Sequence, residues 1–271
     1  DALGLLTEDY NAEQVVDHAE GLYTGRSEIL VDEQDIDRFY AGDELWIDPK
    51  EHILYPNQFI MLISNSNDKK TALAKFENYS KPLQKIVKSN KKIWSTEPRN
   101  KEQQFAFELL LDPAIPVVSL VGKAGSGKTL LALASGLEQT FGNGALYKKI
   151  VVTKPVEPVG KDIGFLPGSM EEKMLPWLAP IQDNLQFLMG DDKATLELYM
   201  EKGQIDVEAM TFIRGRSISN AFIVIDEVQN MTQHEIKTVL TRVGEGTKIV
   251  LTGDIEQIDN VYIDATNNGL S

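Results

Sequence analysis

Cysteine is absent from the 271 residues, and histidine occurs only three times. Without thiols the chain can build neither a disulfide framework nor a thiolate zinc site, which suits a reducing, cytoplasmic setting. His18, His52 and His234 are scattered and offer no metal-ligand spacing. Long apolar runs are missing too. No stretch approaches the ~18 residues of a membrane-spanning helix, so no membrane partner is expected. No signal-like segment opens the chain, which starts on Asp1 rather than methionine; an excised piece of a longer protein is the expectation. Basic charge is in deficit, with 27 Lys and Arg against 41 Asp and Glu, a net charge of -14. Such a surface repels phosphate on average, so any nucleic-acid site is confined to a local groove. The 42% hydrophobic content suffices for one large domain, or one domain plus a smaller one.

What is present is concentrated in PVVSLVGKAGSGKT, from Pro116 to Thr129. An apolar strand runs into a glycine-rich loop and then into the helix-like LLALASGLEQ. Gly122, Gly127, Lys128 and Thr129 satisfy G-x-x-x-x-G-K-[ST]. In that pattern the backbone N–H groups of Gly122, Lys123, Ala124, Gly125, Ser126 and Gly127 turn inward around phosphate oxygens. Lys128 reaches the β- and γ-phosphates, and the Thr129 hydroxyl is offered to Mg²⁺. The positive end of the following helix faces the same anion.

Residues 1–95 read as a linker helix, NAEQVVDHAEGLY, and a small β-rich module in which SEILV, DELWID, HILYP and QFIMLISN are strand-like. Its aromatics Tyr23, Phe39, Trp46, Tyr55 and Phe59 suit either the core of a small sheet or a stacking platform for bases. The lysine-rich stretch Lys69–Lys92 reads as a solvated linker or as a basic path for nucleic acid. Residues 96–271 form a second domain. A helix in RNKEQQFAFELLLD precedes strand 117–121, helix 127–138 and strand 149–154. Helices at 171–189 and 192–202, the strand-like IDVEAMTFI, strand AFIVID, helix TQHEIKTVLTRV and strand KIVLTGD follow. Strands alternating with helices predict an α/β fold, a parallel sheet flanked by helices. Right-handed crossovers then bring the C-terminal strand ends to one edge.

Those ends carry the remaining chemistry. Asp226, at the tip of AFIVID, is placed to hold Mg²⁺ beside Thr129, and Glu227 to polarise an attacking water. Gly253, Asp254 and Gln257, in TGDIEQID, are placed to sense a γ-phosphate. Gln103, ahead of the loop, has an amide that both donates to and accepts from an adenine edge, which favours ATP over GTP; Gln104 is an equal alternative.

The strings VVTKPVEPVGKDIGFLPGSMEEKMLPWLAPIQDNL and FIRGRSISNAFIVIDEVQNMTQHEIKTVLTRVGEGTKIVLTGDIEQID resemble the PhoH family of ATPases, which are similar to the first motor domain of superfamily 1 helicases. The resemblance runs from about Arg99 onward and implies a RecA-like P-loop NTPase fold. The opening DALGLLTEDY is similar to the segment after the nuclease in PIN–PhoH fusion proteins. It implies coupling of ATP hydrolysis to RNA unwinding and cleavage, with nuclease carboxylates upstream of Asp1 and single-stranded RNA as the expected partner. Residue by residue it implies Gln103 for adenine, Gly122 to Thr129 for phosphates, Asp226 and Glu227 for Mg²⁺ and water, and Gln257 as sensor. Gly164 to Ser169, GFLPGS, is a family hallmark that fits a tight surface loop. One phosphate loop and one acidic pair leave a second lobe's arginine unaccounted for. A closed homo-oligomeric ring, for which the resemblance implies six members (a hexamer), would supply it in trans, from Arg242 first, or from Arg214 or Arg216. The alternative from another class is a nucleotide-dependent switch or scaffold with slow turnover. A small-molecule kinase is disfavoured, because the acidic pair and TGD-x-x-Q suit water activation.

Overall fold

A computed structural model describes residues 23–87, 92–155, 170–210, 218–241, 243–259, 263 and 267–270, with backbone alone for 170–175. The chain divides into two compact units, Leu22–Lys91 and the remainder. The opening DALGLLTEDY and the linker helix expected after it lie outside the described residues.

The smaller unit is a four-stranded sheet in the order β1-β2-β3-β4, formed by β1 (Arg26–Val31), β2 (Phe59–Ser64), β3 (Thr71–Lys75) and β4 (Gln84–Lys85). β1 and β2 are parallel, joined through helix α1 (Glu33–Ala41), and the other pairs are antiparallel. Ile36 and Phe39, one turn apart on α1, pack with Ile29, Ile60, Leu62, Ala72, Ala74 and Phe76. Two expectations are corrected here, and one helix is added. The stretch after SEILV is a helix, started at Asp32 with Glu33 and Asp35 in its first turn and stopped by a left-handed Gly42. DELWID and HILYP are irregular, and the sheet is completed instead by TALAK. The lysine-rich stretch is no linker: Lys75 is buried in β3, Lys85 lies in β4, and Lys70 pairs with Glu33 at 3.1 Å and Asp37 at 2.7 Å. That contact holds the Glu33 carboxyl below its usual range, chiefly through the Lys70 hydrogen bond. Of the aromatics, Phe39 and Phe59 are core, whereas Tyr23, Trp46 and Tyr55 are exposed.

The larger unit is built on a five-stranded, wholly parallel sheet: β5 (Val117–Val121), β6 (Lys149–Lys154), β7 (Ile205–Ala209), β8 (Ala221–Ile225) and β9 (Lys248–Gly253). Its order is β5-β9-β8-β6-β7. β8 and β9 are buried along their whole length, as interior parallel strands covered on both faces must be. Alternation along them sorts two cores. Val118, Ile150, Val152, Phe222, Val224 and Val250 face α2 (Lys101–Leu111), α3 (Lys128–Phe141), α4 (Met170–Leu188) and α5 (Lys193–Glu201). Val151, Ile223, Ile225, Ile249 and Leu251 pack with Ile236 and Val239 of α6 (Gln233–Leu240) and with Val228 and Met231. α6 begins at a capping box between Thr232 and Glu235. This is the RecA-like P-loop arrangement, in which one strand, β9, separates the phosphate-loop strand β5 from the acidic strand β8. Lys248, buried at the start of β9, donates to the carbonyls of Leu109 at 2.8 Å and Asp112 at 2.7 Å, closing the C-terminal end of α2. No described helix is long and apolar enough to cross a membrane.

Candidate nucleotide-binding site

β5 ends at Val121 and α3 begins at Lys128, so the loop between them sits at a strand C-terminus and a helix N-terminus together. Gly127, at the junction, has φ 88, a left-handed setting that glycine takes without cost. A Cβ there would also lie 3.2 Å from Gln103 Nε2. Lys123 to Ser126 form the exposed crown of the loop. The Lys128 ammonium folds back over it, donating to the carbonyls of Gly122 at 2.6 Å and Lys123 at 2.9 Å and to Ser126 Oγ at 3.4 Å. Gln103 stands beside the loop at the N-terminal end of α2, where Asn100 Oδ1 accepts its backbone N–H at 2.8 Å. Its side chain accepts from the Arg99 N–H at 2.7 Å and donates to the Ser126 carbonyl at 3.0 Å. Gln104 points into the core instead. The two glutamines, equal in the sequence, are therefore separated: Gln103 borders the phosphate loop and Gln104 does not.

Asp226 follows β8 directly, its N–H held by the Thr153 carbonyl at 2.8 Å. Its Oδ1 accepts from the Thr129 hydroxyl at 2.9 Å and from the Thr252 hydroxyl. The hydroxyl of the loop and the carboxylate of the acidic strand thus meet across the sheet. Glu227 next to it has φ 59 and ψ 40, left-handed for a residue with a side chain. Such settings cost roughly 1–3 kcal/mol and survive only where the surroundings enforce them.

β9 supplies the floor between the two. The Gly122 N–H donates to the Gly253 carbonyl at 3.2 Å. Asp254 is buried; its Oδ2 accepts from the Ala124 N–H at 2.7 Å and its Oδ1 from the Glu256 N–H at 3.0 Å. Its carboxylate is therefore committed to backbone, and it fastens the base of the phosphate loop. Gln257 lies on the exposed turn after it, with its N–H donating to the Asp254 carbonyl at 3.0 Å. An exposed pair, Lys123 with Glu256 at 3.4 Å, spans the same loops and contributes little in water.

Lys128, Thr129, Asp226, Glu227 and Asp254 are accordingly gathered at one sheet edge, with Gln103 joined to them through Ser126. Arg242, Arg214, Arg216 and the segment Gly164 to Ser169 lie outside the described residues. Two participants escaped sequence reasoning. Thr252 stands next to the Thr-Gly-Asp signal, but only the register of β9 against β8 sets its hydroxyl on Asp226. Gln229, wholly buried in the turn Val228–Asn230, donates to Glu227 Oε2 and to the Gln257 carbonyl, and accepts from the Asp254 N–H. Its one signal was a polar residue two positions after the acidic pair. Gly253 makes room for it: a Cβ there would fall 2.6 Å from Gln229 Oε1.

The sequence that builds this site is similar to that of known proteins. The family described as PhoH-like protein matches residues 95–271. Protein PhoH2 of Bacillus subtilis (strain 168) is 49% identical over 274 residues, covering 100% of this chain and 62% of that protein. Protein PhoH2 of Mycolicibacterium smegmatis is 36% identical over 263 residues, 97% of this chain and 57% of that protein. A PhoH-like protein of Mycobacterium tuberculosis is 42% identical over 147 residues, 53% of this chain and 40% of its own length. The chain spans less than two thirds of the length of either PhoH2 relative. With the match covering nearly all of the parallel-sheet unit, and a relative alike over the full chain, the chain belongs to the PhoH family of P-loop nucleotide-binding proteins.

Proposed function

We propose that this chain is the Mg²⁺-dependent, ATP-hydrolysing motor domain of an RNA-linked, helicase-like PhoH protein of the cytoplasm. The observation that carries the reading is the 2.9 Å contact between Thr129 Oγ1 and Asp226 Oδ1. Two hard oxygen donors brought together at the mouth of a phosphate loop suit a small divalent ion that keeps most of its waters and leans on substrate phosphates. Among the described residues no group of three or more His, Cys, Asp or Glu side chains forms a protein cage for a metal, which agrees with that sharing. When bound, Mg²⁺ supplies charge neutralisation at the β- and γ-phosphates.

The rest is work for the chain's own residues. The loop expected to turn all its N–H groups inward spends two of them outside itself, Gly122 on the Gly253 carbonyl and Ala124 on Asp254, so the phosphates are received by the rest of the loop and the start of α3. Lys128 leaves its two carbonyl partners and turns its charge to the β- and γ-oxygens. Gln103, flanking the loop, reads the adenine edge by exchanging its present backbone partners for the base. Glu227 accepts a proton from the attacking water, and Gln257 reports the γ-phosphate from the exposed turn. The charge that develops on transfer needs a further cation, for which Arg242 of a neighbouring subunit in a hexameric ring is proposed. Single-stranded RNA is proposed as the polymer that the motor acts on, supported by the family resemblance.

Phosphate release from ATP and Mg²⁺, measured with and without single-stranded RNA, tests the reading. Turnover that RNA stimulates and that Glu227→Gln lowers by about 10²–10⁴-fold is expected. A wild-type chain that binds ATP without hydrolysing it refutes the motor and leaves a nucleotide-dependent switch.

A further inference from the structure

Each bond made by the Gln229 amide reaches a different part of the site. Nε2 gives one hydrogen to Glu227 Oε2 at 2.5 Å and the other to the Gln257 carbonyl at 3.0 Å. Oε1 accepts from the Asp254 N–H at 3.0 Å. The chemistry of the three partners fixes which end is oxygen: a carboxylate and a carbonyl can only accept, and an N–H can only donate. The side chain is fully buried, so each of these bonds replaces one that water would otherwise make. Asp254 carries the connection onward through its Oδ2 to the Ala124 N–H at 2.7 Å. A continuous path of hydrogen bonds thus runs from the phosphate loop through Asp254 and Gln229 to the carboxylate of Glu227.

Glu227 needs such a partner. It sits past the end of β8 on a left-handed backbone, and its side chain has three rotatable bonds with only a half-buried setting to restrain them. Gln229 takes one of the two carboxylate oxygens. Among the described residues the other, Oε1, has no hydrogen bond, and it is the atom left to accept a proton from water. The position asks for a side chain that both donates and accepts, as the Gln229 amide does. A carboxylate cannot donate to Glu227 and would repel it, and an apolar side chain would leave Glu227 Oε2, the Gln257 carbonyl and the buried Asp254 N–H without this partner. The neighbouring chain is shaped to the same end, since only a glycine at 253 leaves space for Gln229 Oε1.

We infer that Gln229 is a positioning residue for ATP hydrolysis: it aims the Glu227 carboxylate at the water and ties that aim to the phosphate loop through Asp254. The inference rests on the reading of Glu227 as the group that activates water. Misplacing such a group by about an ångström costs about 10²-fold in rate. The test uses the full chain, steady-state phosphate release, and binding of a fluorescent non-hydrolysable ATP analogue. Gln229→Met and Gln229→Glu both keep the side-chain length, so loss of fold in one leaves the other to decide. Each is expected to lower kcat by about 10²-fold, with KM and analogue affinity changed by less than about threefold. In a Glu227→Gln background the same substitutions should cost less than about threefold, because the group they aim is already gone. Full, additive losses in that background, or losses confined to KM, overturn the inference. Wild-type turnover that neither substitution touches overturns it alone, whereas a wild-type chain without turnover overturns it together with the motor reading.

Discussion

Lys128 shows how a single side chain can be settled before its ligand arrives. Its ammonium is answered by two carbonyls of its own loop, so phosphate must replace those bonds rather than meet a bare charge. Replacing Lys128 by alanine removes a charge-assisted contact, and ATP affinity should fall about 10- to 100-fold, as read by isothermal titration. Turnover should vanish with it, and wild-type turnover in that variant would sink the phosphate-loop assignment. Glu227→Gln separates binding from chemistry. The amide keeps the shape while losing the base, so kcat should fall about 10²–10⁴-fold with ATP binding preserved. Equal losses in both would instead mark Glu227 as a structural or metal-holding residue. Such residues were legible in the sequence because their chemistry demands fixed spacings: G-x-x-x-x-G-K-T is local, and two acids after an apolar strand are local. Thr252 was not legible because its partner Asp226 lies past the end of another strand and is set by register, and Gln229 was not because two of its three partners, Asp254 and Gln257, follow β9 far along the chain.

Among the elements, sequence patterns served continuous apolar runs and failed segments of mixed character. β6, β8 and β9 coincide with apolar runs, since interior parallel strands must be apolar on both faces. α1 was hidden because its surface is nearly all charged, and only Ile36 and Phe39 mark a buried side. β3 was hidden because five residues, two of them alanine and one a buried lysine, show little alternation. The mistaken strands DELWID and HILYP are apolar in places but build no ladder, although the Leu45 carbonyl accepts the Leu83 N–H at 2.8 Å just before β4. Lys248 is a buried charge that no pattern announces. It joins β9 to the end of α2, whose other end carries Gln103. Lys248→Met leaves the Leu109 and Asp112 carbonyls without that donor, and a stability loss of about 2–3 kcal/mol is expected in urea unfolding. α5 offers a pH test. Thr195 donates from both its hydroxyl and its N–H to the Asp192 carboxylate, which holds that group below its ordinary range. A lowered folded value means the cap is fully present above the unfolded value and is lost as pH falls through the folded one. Amide exchange in the first turn of α5 should accelerate in that acidic window and be unchanged near neutrality.

For the molecule as a whole, the smaller unit and the parallel-sheet unit each have apolar cores made of their own residues. Residues 22–91 expressed alone should therefore fold, giving a dispersed amide spectrum; a collapsed spectrum would show that the small core does not suffice. The proposed arginine in trans belongs to this scale as well. Specific ATPase activity should rise with protein concentration, and mixing Arg242→Ala with Glu227→Gln subunits should recover part of it. Full activity in a strictly monomeric chain would exclude sharing. One feature of the sheet also has a bearing on synthesis. β9 comes later in the sequence than every other described strand, yet it lies second in the sheet, wedged between β5 and β8. A growing chain emerges from the ribosome with its phosphate loop and both carboxylates already made and no means of bringing them together. Until Lys248 to Gly253 appear, β5 and β8 each lack a neighbour, and the nascent sheet is open to wrong pairings. Nucleotide can then stabilise only chains that have reached and inserted this strand. The bound nucleotide, proposed here to be ATP, would in this way act as a late inspector of translation, rewarding finished sheets and leaving shorter products to proteases.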